Sequence, residues 1–276
     1  MDYKYFKVEK KGRVALVTIQ NPPMNFLRMG MILEMSDMFD RFAEDSSIGT
    51  VVLTGGVKGY FIAHADMETM VKGNPPYQYG PEAKVGYKKF HDTMNKIQWS
   101  PKLVIASING QAMGGGLETA LACDLRFQAR STLIGLIEAN AGLLPAGGGT
   151  TRLTRLIGIG KALPIMLEGR IMGAKEAKEL GIVHKVLDDN KLLDYSIGYG
   201  QFMAEKHPDA IKAIKQTAYT GLEKGFKEGL AAEHEAIFEL VKTERTQKIM
   251  DAGISAYAAG QKPDFYRIGK DRRWVA

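Results

Sequence analysis

Short runs of apolar and mostly β-branched residues are the sequence feature that most limits how this chain can fold. They occupy residues 13–19 (RVALVTI), 50–54 (TVVLT) and 103–108 (LVIASI). Each run is bounded by turn-forming residues, a pattern that predicts a β-strand. Long segments separate the runs, so the strands must be joined by other elements.

An amphipathic helix is predicted between the first two strands, in residues 29–45. Ile32, Met35, Phe39 and Phe42 recur there at spacings of three and four, which places them on one helical face. The methionines of this region are interpreted as core filler rather than as a metal or cofactor site. Strands that alternate with helices predict an α/β fold.

The C-terminal part lacks strand signals after about residue 190. Phe226, Leu230, Ile237 and Val241 form a second helical stripe, which needs a partner surface. We therefore expect a core domain over residues 1–205 and a helical region over residues 206–276 that serves self-association. In the core, residues 67–90 contain several glycines and prolines and are predicted to form a long loop.

Composition limits the function class. The net charge is +6, but acidic residues are interleaved with the basic ones, so no nucleic-acid arm is predicted. The single cysteine, Cys123, rules out an intramolecular disulfide and fits a reducing compartment. No apolar run is long enough to cross a bilayer and the start lacks a signal-peptide pattern, so we expect a cytoplasmic protein without a membrane partner.

A glycine-rich segment carries the strongest chemical signal. In residues 105–124 a strand leads to Gly114, Gly115 and Gly116, and a helix with Glu118 in its first turn follows. Glycines let backbone amides approach a ligand closely, and the helix start adds a positive dipole end. Such a site can stabilise an oxyanion. A simple turn with a capping glutamate is the alternative.

A second acidic residue, Glu138, lies within an apolar stretch of residues 134–153. A carboxylate in such surroundings pairs with another group or has a raised pKa, and either is useful for proton transfer. An exposed acid at a strand end is the alternative. The glycines after Pro145 are predicted to form a turn that starts a helix, with Thr150 as its N-cap.

Taken in order, the motifs resemble the crotonase (enoyl-CoA hydratase/isomerase) superfamily. The family pattern F-x-A-G-A-D corresponds to residues 61–66 (FIAHAD), with His64 in place of the glycine. The pattern N-G-x-A-x-G-G-G-x-E corresponds to residues 109–118. The pattern E-x-x-x-G-x-x-P-x-x-G-G-T-x-R-L corresponds to residues 138–153. Residues 171–186 are similar to the helix and strand that follow the family's core.

The resemblance implies a spiral of ββα units with C-terminal helices that mediate trimers or hexamers. It implies an acyl-CoA thioester substrate whose carbonyl is held by the amides of Ala63 and Gly115. The two glutamates that hydratases use correspond to Glu118 and Glu138, and no metal or redox cofactor is needed. The predicted substrate-binding residues are His64, Asp66, Gly114 and Lys262, the last as a contact to a CoA phosphate.

The resemblance therefore favours hydration of an enoyl-CoA thioester across its 2,3 double bond. An enoyl-CoA isomerase, which needs only Glu138, is the nearest alternative. Other acyl-CoA lyases or hydrolases are further alternatives, since one scaffold hosts several chemistries. A more remote alternative, from the basic pI of about 9.1 alone, is an RNA-binding protein on the same scaffold.

Overall fold

A computed structural model describes residues 2–66 and 81–266. Its strands are β1 (Phe6–Lys11), β2 (Val14–Ile19), β3 (Thr50–Gly55), β4 (Tyr60–Ile62), β5 (Leu103–Ile108), β6 (Gln111–Met113), β7 (Leu125–Ala129), β8 (Leu133–Gly135), β9 (Ile171–Gly173) and β10 (Lys185–Leu187). Its helices are α1 (Met29–Glu44), α2 (Pro81–Gln98), α3 (Gly115–Ala122), α4 (Gly149–Ile157), α5 (Ile159–Leu167), α6 (Ala174–Glu179), α7 (Leu192–Ala204), α8 (Pro208–Lys224), α9 (Phe226–Lys242) and α10 (Glu244–Ala258). Short 3₁₀ helices span Glu138–Ala141 and Asp264–Tyr266.

The described strands form a six-stranded sheet, in the order β1-β2-β3-β5-β7-β10, and a four-stranded sheet, in the order β4-β6-β8-β9. β1 pairs antiparallel with β2, and the rest of the larger sheet is parallel. Each pair β3–β4, β5–β6 and β7–β8 contributes one strand to each sheet before the chain turns into a helical segment. This repetition confirms the α/β class and the predicted ββα arrangement.

The three predicted strands correspond to β2, β3 and β5. Helix α1 confirms the predicted amphipathic helix, because Ile32, Met35, Phe39 and Phe42 all lie in the core. Met31, Met35 and Met38 are also buried there, which confirms the interpretation of methionine as core filler.

The predicted loop over residues 67–90 is wrong for its second half. Pro81–Gln98 form helix α2, which packs against α1. Proline fits the first turn of a helix because its missing N–H would have no partner there. Residues 67–80 lie outside the described part of the chain.

The chain divides into two compact units, Met1–Pro208 and Asp209–Ala276. The described part of the second unit contains only helices and turns. No helix in the described ranges is long and apolar enough to cross a membrane.

An asparagine joins the strands that lead to the glycine-rich segment. The Asn109 side chain accepts a hydrogen bond from the Gly55 N–H (2.9 Å) and donates one to the Gly55 carbonyl (2.7 Å). It thereby extends the β3–β5 pairing beyond the last backbone pair. The next residue, Gly110, must be glycine because a β-carbon there would overlap the backbone of Gly59 and Tyr60. This junction fixes where the chain leaves the larger sheet for β6 and helix α3.

Candidate active site

Helix α3 brings Glu118 into a buried position. The side chain is 3% exposed, and its Oε1 atom accepts a hydrogen bond from the Gly149 N–H at 2.9 Å. The pKa of Glu118 is raised to about 7, mainly by burial and also by the nearby charge of Glu138, against the lowering effect of the Gly149 and Gly147 amides and of Arg152. The charge interaction places both predicted carboxylates in one site.

Glu118 also takes over the role predicted for Thr150 at the start of helix α4. The N-cap residue is Gly148, in a left-handed conformation (φ +99°), and Thr150 donates its hydroxyl hydrogen bond to the Pro145 carbonyl. The prediction of Thr150 as N-cap is therefore wrong. The Glu118 carboxylate meets the free amide at the helix start instead, where the helix dipole favours a negative charge.

Glu138 begins the 3₁₀ helix that follows β8. The residue is half-buried, and its Oε2 atom is buried without a hydrogen-bond partner in the described part of the chain. Burial raises the pKa of Glu138, and its own backbone amide lowers it. Because ionisation there is poorly compensated, the side chain is suited to hold and deliver a proton.

Gly114 brings Glu138 close to the start of helix α3. Its backbone (φ +49°, ψ −119°) lies in a region that essentially only glycine adopts, and a β-carbon there would lie 2.9 Å from Glu138 Oε1. Its N–H donates to the Gly135 carbonyl (2.8 Å), and its carbonyl accepts from the Glu118 N–H (2.9 Å). The Gly114 amide is thus hydrogen-bonded within the protein, and substrate binding by Gly114 stays a prediction.

The Ala63 amide is also hydrogen-bonded within the protein. It donates to the Met24 carbonyl at 3.2 Å, so Ala63 is wrong as an oxyanion donor. The Ala65 amide has no acceptor among the described residues. A β-carbon built on Gly115 would lie 3.6 Å from the Ala65 nitrogen, so these two residues face each other.

Gly115 retains the position that the sequence predicts. It is the first residue of helix α3, where an amide has no carbonyl partner within the helix. Glycine is also required at position 116, where helix α3 approaches β4 closely, because a β-carbon there would overlap the Ile62 carbonyl. Two backbone N–H groups and two carboxyl groups thus come together around the start of helix α3.

A model of the enoyl-CoA hydratase/isomerase family matches residues 9–267. The chain belongs to that family. Its α/β fold, the predicted resemblance and the predicted hydro-lyase class are thereby confirmed, together with acyl-CoA thioesters as the kind of compound on which the family acts.

Named relatives support this assignment. The short-chain-enoyl-CoA hydratase of Clostridium acetobutylicum is 33% identical over 252 residues, 90% of this chain and 93% of that protein. The human mitochondrial methylglutaconyl-CoA hydratase is 32% identical over 244 residues, 87% of this chain and 70% of that protein. An enoyl-CoA hydratase structure from Geobacillus kaustophilus HTA426 superimposes with a TM-score of 0.86 at 29% identity, over 95% of this chain and 97% of that one.

In this hydratase/isomerase family member, His64 and Asp66 flank the Ala65 amide. The half-buried His64 ring contacts Phe26, and the buried Asp66 carboxylate pairs with Arg28 at 2.7 Å. Both side chains therefore lie beside the predicted thioester site, and both make contacts within the protein.

The far end of helix α3 is held by a residue that the sequence reasoning missed. The buried Arg126 guanidinium donates to the carbonyls of Cys123 (2.5 Å), Ile182 (2.8 Å) and Ala120 (3.3 Å). A cation at a helix C-terminus stabilises the negative dipole end. His184 Nδ1 accepts from the Arg126 amide, and burial together with the Arg126 charge lowers the pKa of His184 to about 4. The histidine is thus neutral at physiological pH.

Lys262 lies in the second unit, on the rim of a cavity of about 800 Å³ that is also lined by Arg245, Lys248 and Phe265. A contact from Lys262 to a CoA phosphate stays a prediction. Tyr77 and Tyr79 of the predicted loop lie outside the described residues.

Proposed function

We propose that this protein hydrates 2-enoyl-CoA thioesters, adding water reversibly across the 2,3 double bond. The observation that carries the proposal is the convergence of Glu118 and Glu138, each with a pKa raised by burial. They lie beside the amides of Ala65 and Gly115, which have no acceptor among the described residues. Hydration requires one proton to be removed from water and another to be delivered to carbon, and two carboxyl groups can perform both tasks.

The amides of Ala65 and Gly115 would hold the thioester oxygen. Two N–H donors draw negative charge onto that oxygen, which makes C3 electrophilic and stabilises the enolate that forms on attack. The proposal replaces Ala63 with Ala65, because the Ala63 N–H is bound to the Met24 carbonyl.

The carboxyl groups would then divide the proton transfers. Glu118 takes a proton from water as the water oxygen bonds to C3, and Glu138 delivers a proton to C2 as the enolate collapses. Proton return from Glu118 to Glu138 through solvent restores the starting state. The chemistry uses no resident metal or redox cofactor.

Hydrogen bonding is the reason for assigning the base role to Glu118. Its carboxylate accepts from backbone amides, which stabilise the ionised form, while Glu138 Oε2 has no such donor among the described residues. Burial acts in the opposite direction and favours a proton on Glu118. The charge of Glu138 also raises the pKa of Glu118, so the two carboxyl groups are coupled and titrate as a pair.

The site residues described above do not identify the acyl group. The relatives named above act on different acyl groups according to their names, at 33% and 32% identity to this chain. We keep the substrate class as 2-enoyl-CoA thioesters, with a homotrimer or homohexamer as the expected assembly.

The test is a reaction in ¹⁸O-labelled water with a panel of 2-enoyl-CoA and 3-enoyl-CoA thioesters, followed by mass spectrometry. We expect a 3-hydroxyacyl-CoA product that carries ¹⁸O, formed from the 2-enoyl substrates. Interconversion of 3-enoyl and 2-enoyl thioesters without incorporation of ¹⁸O would instead identify an isomerase.

A further inference from the structure

Residues 64–66 run beside Leu27 as a parallel bridge. The Leu27 N–H donates to the His64 carbonyl (2.8 Å), and the Asp66 N–H donates to the Leu27 carbonyl (2.9 Å). In a parallel pairing of this kind the residue between these two groups directs its own N–H and C=O away from the neighbouring strand. The Ala65 amide therefore points to the side on which Gly115 lies.

The imidazole of His64 holds the carbonyl of Ala65. Its Nδ1 atom lies 2.6 Å from the Ala65 oxygen. A carbonyl oxygen only accepts hydrogen bonds, so Nδ1 must carry the proton and donate it. The ring is in turn packed against Phe26, with 4.8 Å between ring centroids.

The backbone does not require glycine at position 64. Among the described residues other than glycine, only Asn25 has a positive φ, so His64 carries its side chain without left-handed strain. The family pattern has glycine here, and glycine lacks any side-chain donor. The histidine thus adds a hydrogen bond that the glycine in the pattern cannot make.

An ion pair fixes Asp66, the residue that follows Ala65. The Asp66 carboxylate, 7% exposed, pairs with the Arg28 guanidinium at 2.7 Å. Residues 64–66 are thus tied to residues 26–28 by two backbone hydrogen bonds, one ring contact and one ion pair. The Asp66 N–H is bound to the Leu27 carbonyl, whereas the Ala65 N–H has no acceptor among the described residues.

We infer that His64 is a positioning residue for the oxyanion site. The Ala65 N–H lies in the planar peptide group whose His64 carbonyl accepts from the Leu27 N–H, and the His64 Nδ1–H holds the peptide group on the other side of Ala65 through its carbonyl. With both peptide groups held, rotation at Ala65 is restricted and the direction of its N–H is kept. This inference rests on the proposed function, since it assigns the Ala65 amide to the thioester oxygen.

The test compares His64→Gly with His64→Asn, whose side-chain amide keeps a donor. Because loss of a whole oxyanion donor costs about 10²–10³-fold in kcat, we expect a loosened donor in His64→Gly to cost about tenfold. KM should change by less than about twofold, and His64→Asn should recover part of the kcat. His234→Asn is the matched control, because His234 makes the same kind of ring contact to Phe238, also at 4.8 Å, in the second unit.

A spectroscopic measurement separates positioning from folding. A saturated acyl-CoA with a ¹³C-labelled carbonyl is bound to each variant, and the downfield shift of the carbonyl resonance reports its polarisation by the site. We expect a smaller shift for His64→Gly than for the wild type, an intermediate one for His64→Asn and no change for His234→Asn. An unchanged shift and kcat in His64→Gly, or a loss of kcat that only follows a loss of Tm, would overturn the inference.

The two proposals fail in different ways. A wild-type protein that shifts the carbonyl resonance but does not hydrate 2-enoyl-CoA contradicts the proposed reaction and leaves the role of His64 standing. A wild-type protein that hydrates, with His64→Gly equal to it in kcat and in ¹³C shift, contradicts only the role of His64. If His64→Gly does not fold, His64→Asn against His64→Leu, which keeps bulk without a donor, gives the same comparison.

Discussion

Two helices of this protein carry apolar stripes with nearly the same spacing but in opposite surroundings. The stripe of α1 is buried, with Ile32, Met35, Phe39 and Phe42 at most 5% exposed. The stripe of α9 is open, with side chains between 46% and 81% exposed at Phe226, Leu230, Ile237 and Val241. Periodicity therefore predicts a helix and its apolar face, but it does not identify what covers that face.

The unit that contains the buried stripe also contains the carboxyl pair and the amides of Ala65 and Gly115, which have no acceptor among the described residues. The second unit carries its apolar side chains at its surface, as a region for self-association would. Each prediction below tests whether chemistry belongs to the first and assembly to the second.

The largest effect is expected from the glutamates. Glu118→Gln and Glu138→Gln should each lower kcat for hydration by roughly 10²–10⁴-fold, because each removes a general acid–base group. Steady-state kinetics measures the loss, and light scattering should show unchanged assembly. The double variant should lose much less than the product of the two single losses, because the groups act as a unit. A Glu118→Gln variant with near-full hydratase rate would remove the main support for hydration.

The next effect concerns stability. Phe42→Ala removes a fully buried ring and should lower the free energy of unfolding by about 3–5 kcal/mol, at any protein concentration. Phe226→Ala changes a ring that is 81% exposed in the single chain, so any loss should disappear on dilution. Denaturant titrations at several protein concentrations check both. A large loss for Phe226→Ala that is independent of concentration would contradict the comparison.

Assembly should respond to a single charge on the open stripe. Leu230→Lys should weaken the expected trimer or hexamer. Burying a leucine in an interface contributes about 1.5–3 kcal/mol to the free energy of association, and a lysine does not make this contribution. Leu33→Lys on α1 is the matched control, since Leu33 is 46% exposed and Leu230 48%. Light scattering at micromolar concentration gives the masses. A wild-type protein that is a stable monomer would refute the assignment of assembly to the second unit.

The smallest effect is the pH dependence of the carboxyl pair. The pair must retain one proton to protonate C2, and the pKa of Glu118 is raised to about 7, so kcat/KM should fall by up to about tenfold per pH unit above 7. On the acid side it should fall below a pKa that lies above the ordinary glutamate value, because burial raises the pKa of Glu138. The acid and alkaline sides of the profile are measured as kcat/KM between pH 4 and 9, with a substrate that dissociates faster than it reacts. A kcat/KM that keeps rising from pH 7 to 9 would show that the pair does not supply the proton.

Local features of the fold can be predicted from the amino-acid sequence alone. Helix α1 follows from apolar residues three and four positions apart, and strands β2, β3 and β5 follow from short β-branched runs. The place of Glu118 in the first turn of α3 follows from the glycines that precede it. Such patterns are visible in one stretch of sequence because they depend on the repeat of a single helix or strand. The motifs around Glu118 and Glu138 also determined the family.

Among the described residues, the packing of distant segments sets which backbone amides are left without an acceptor. The Ala63 amide is bound to the Met24 carbonyl, nearly forty residues earlier, which leaves the Ala65 amide to face Gly115. Glu118 likewise meets the amide of Gly149 in a different helix. A hydrogen-bond partner so far along the chain is set by how the layers stack, and no local period records it.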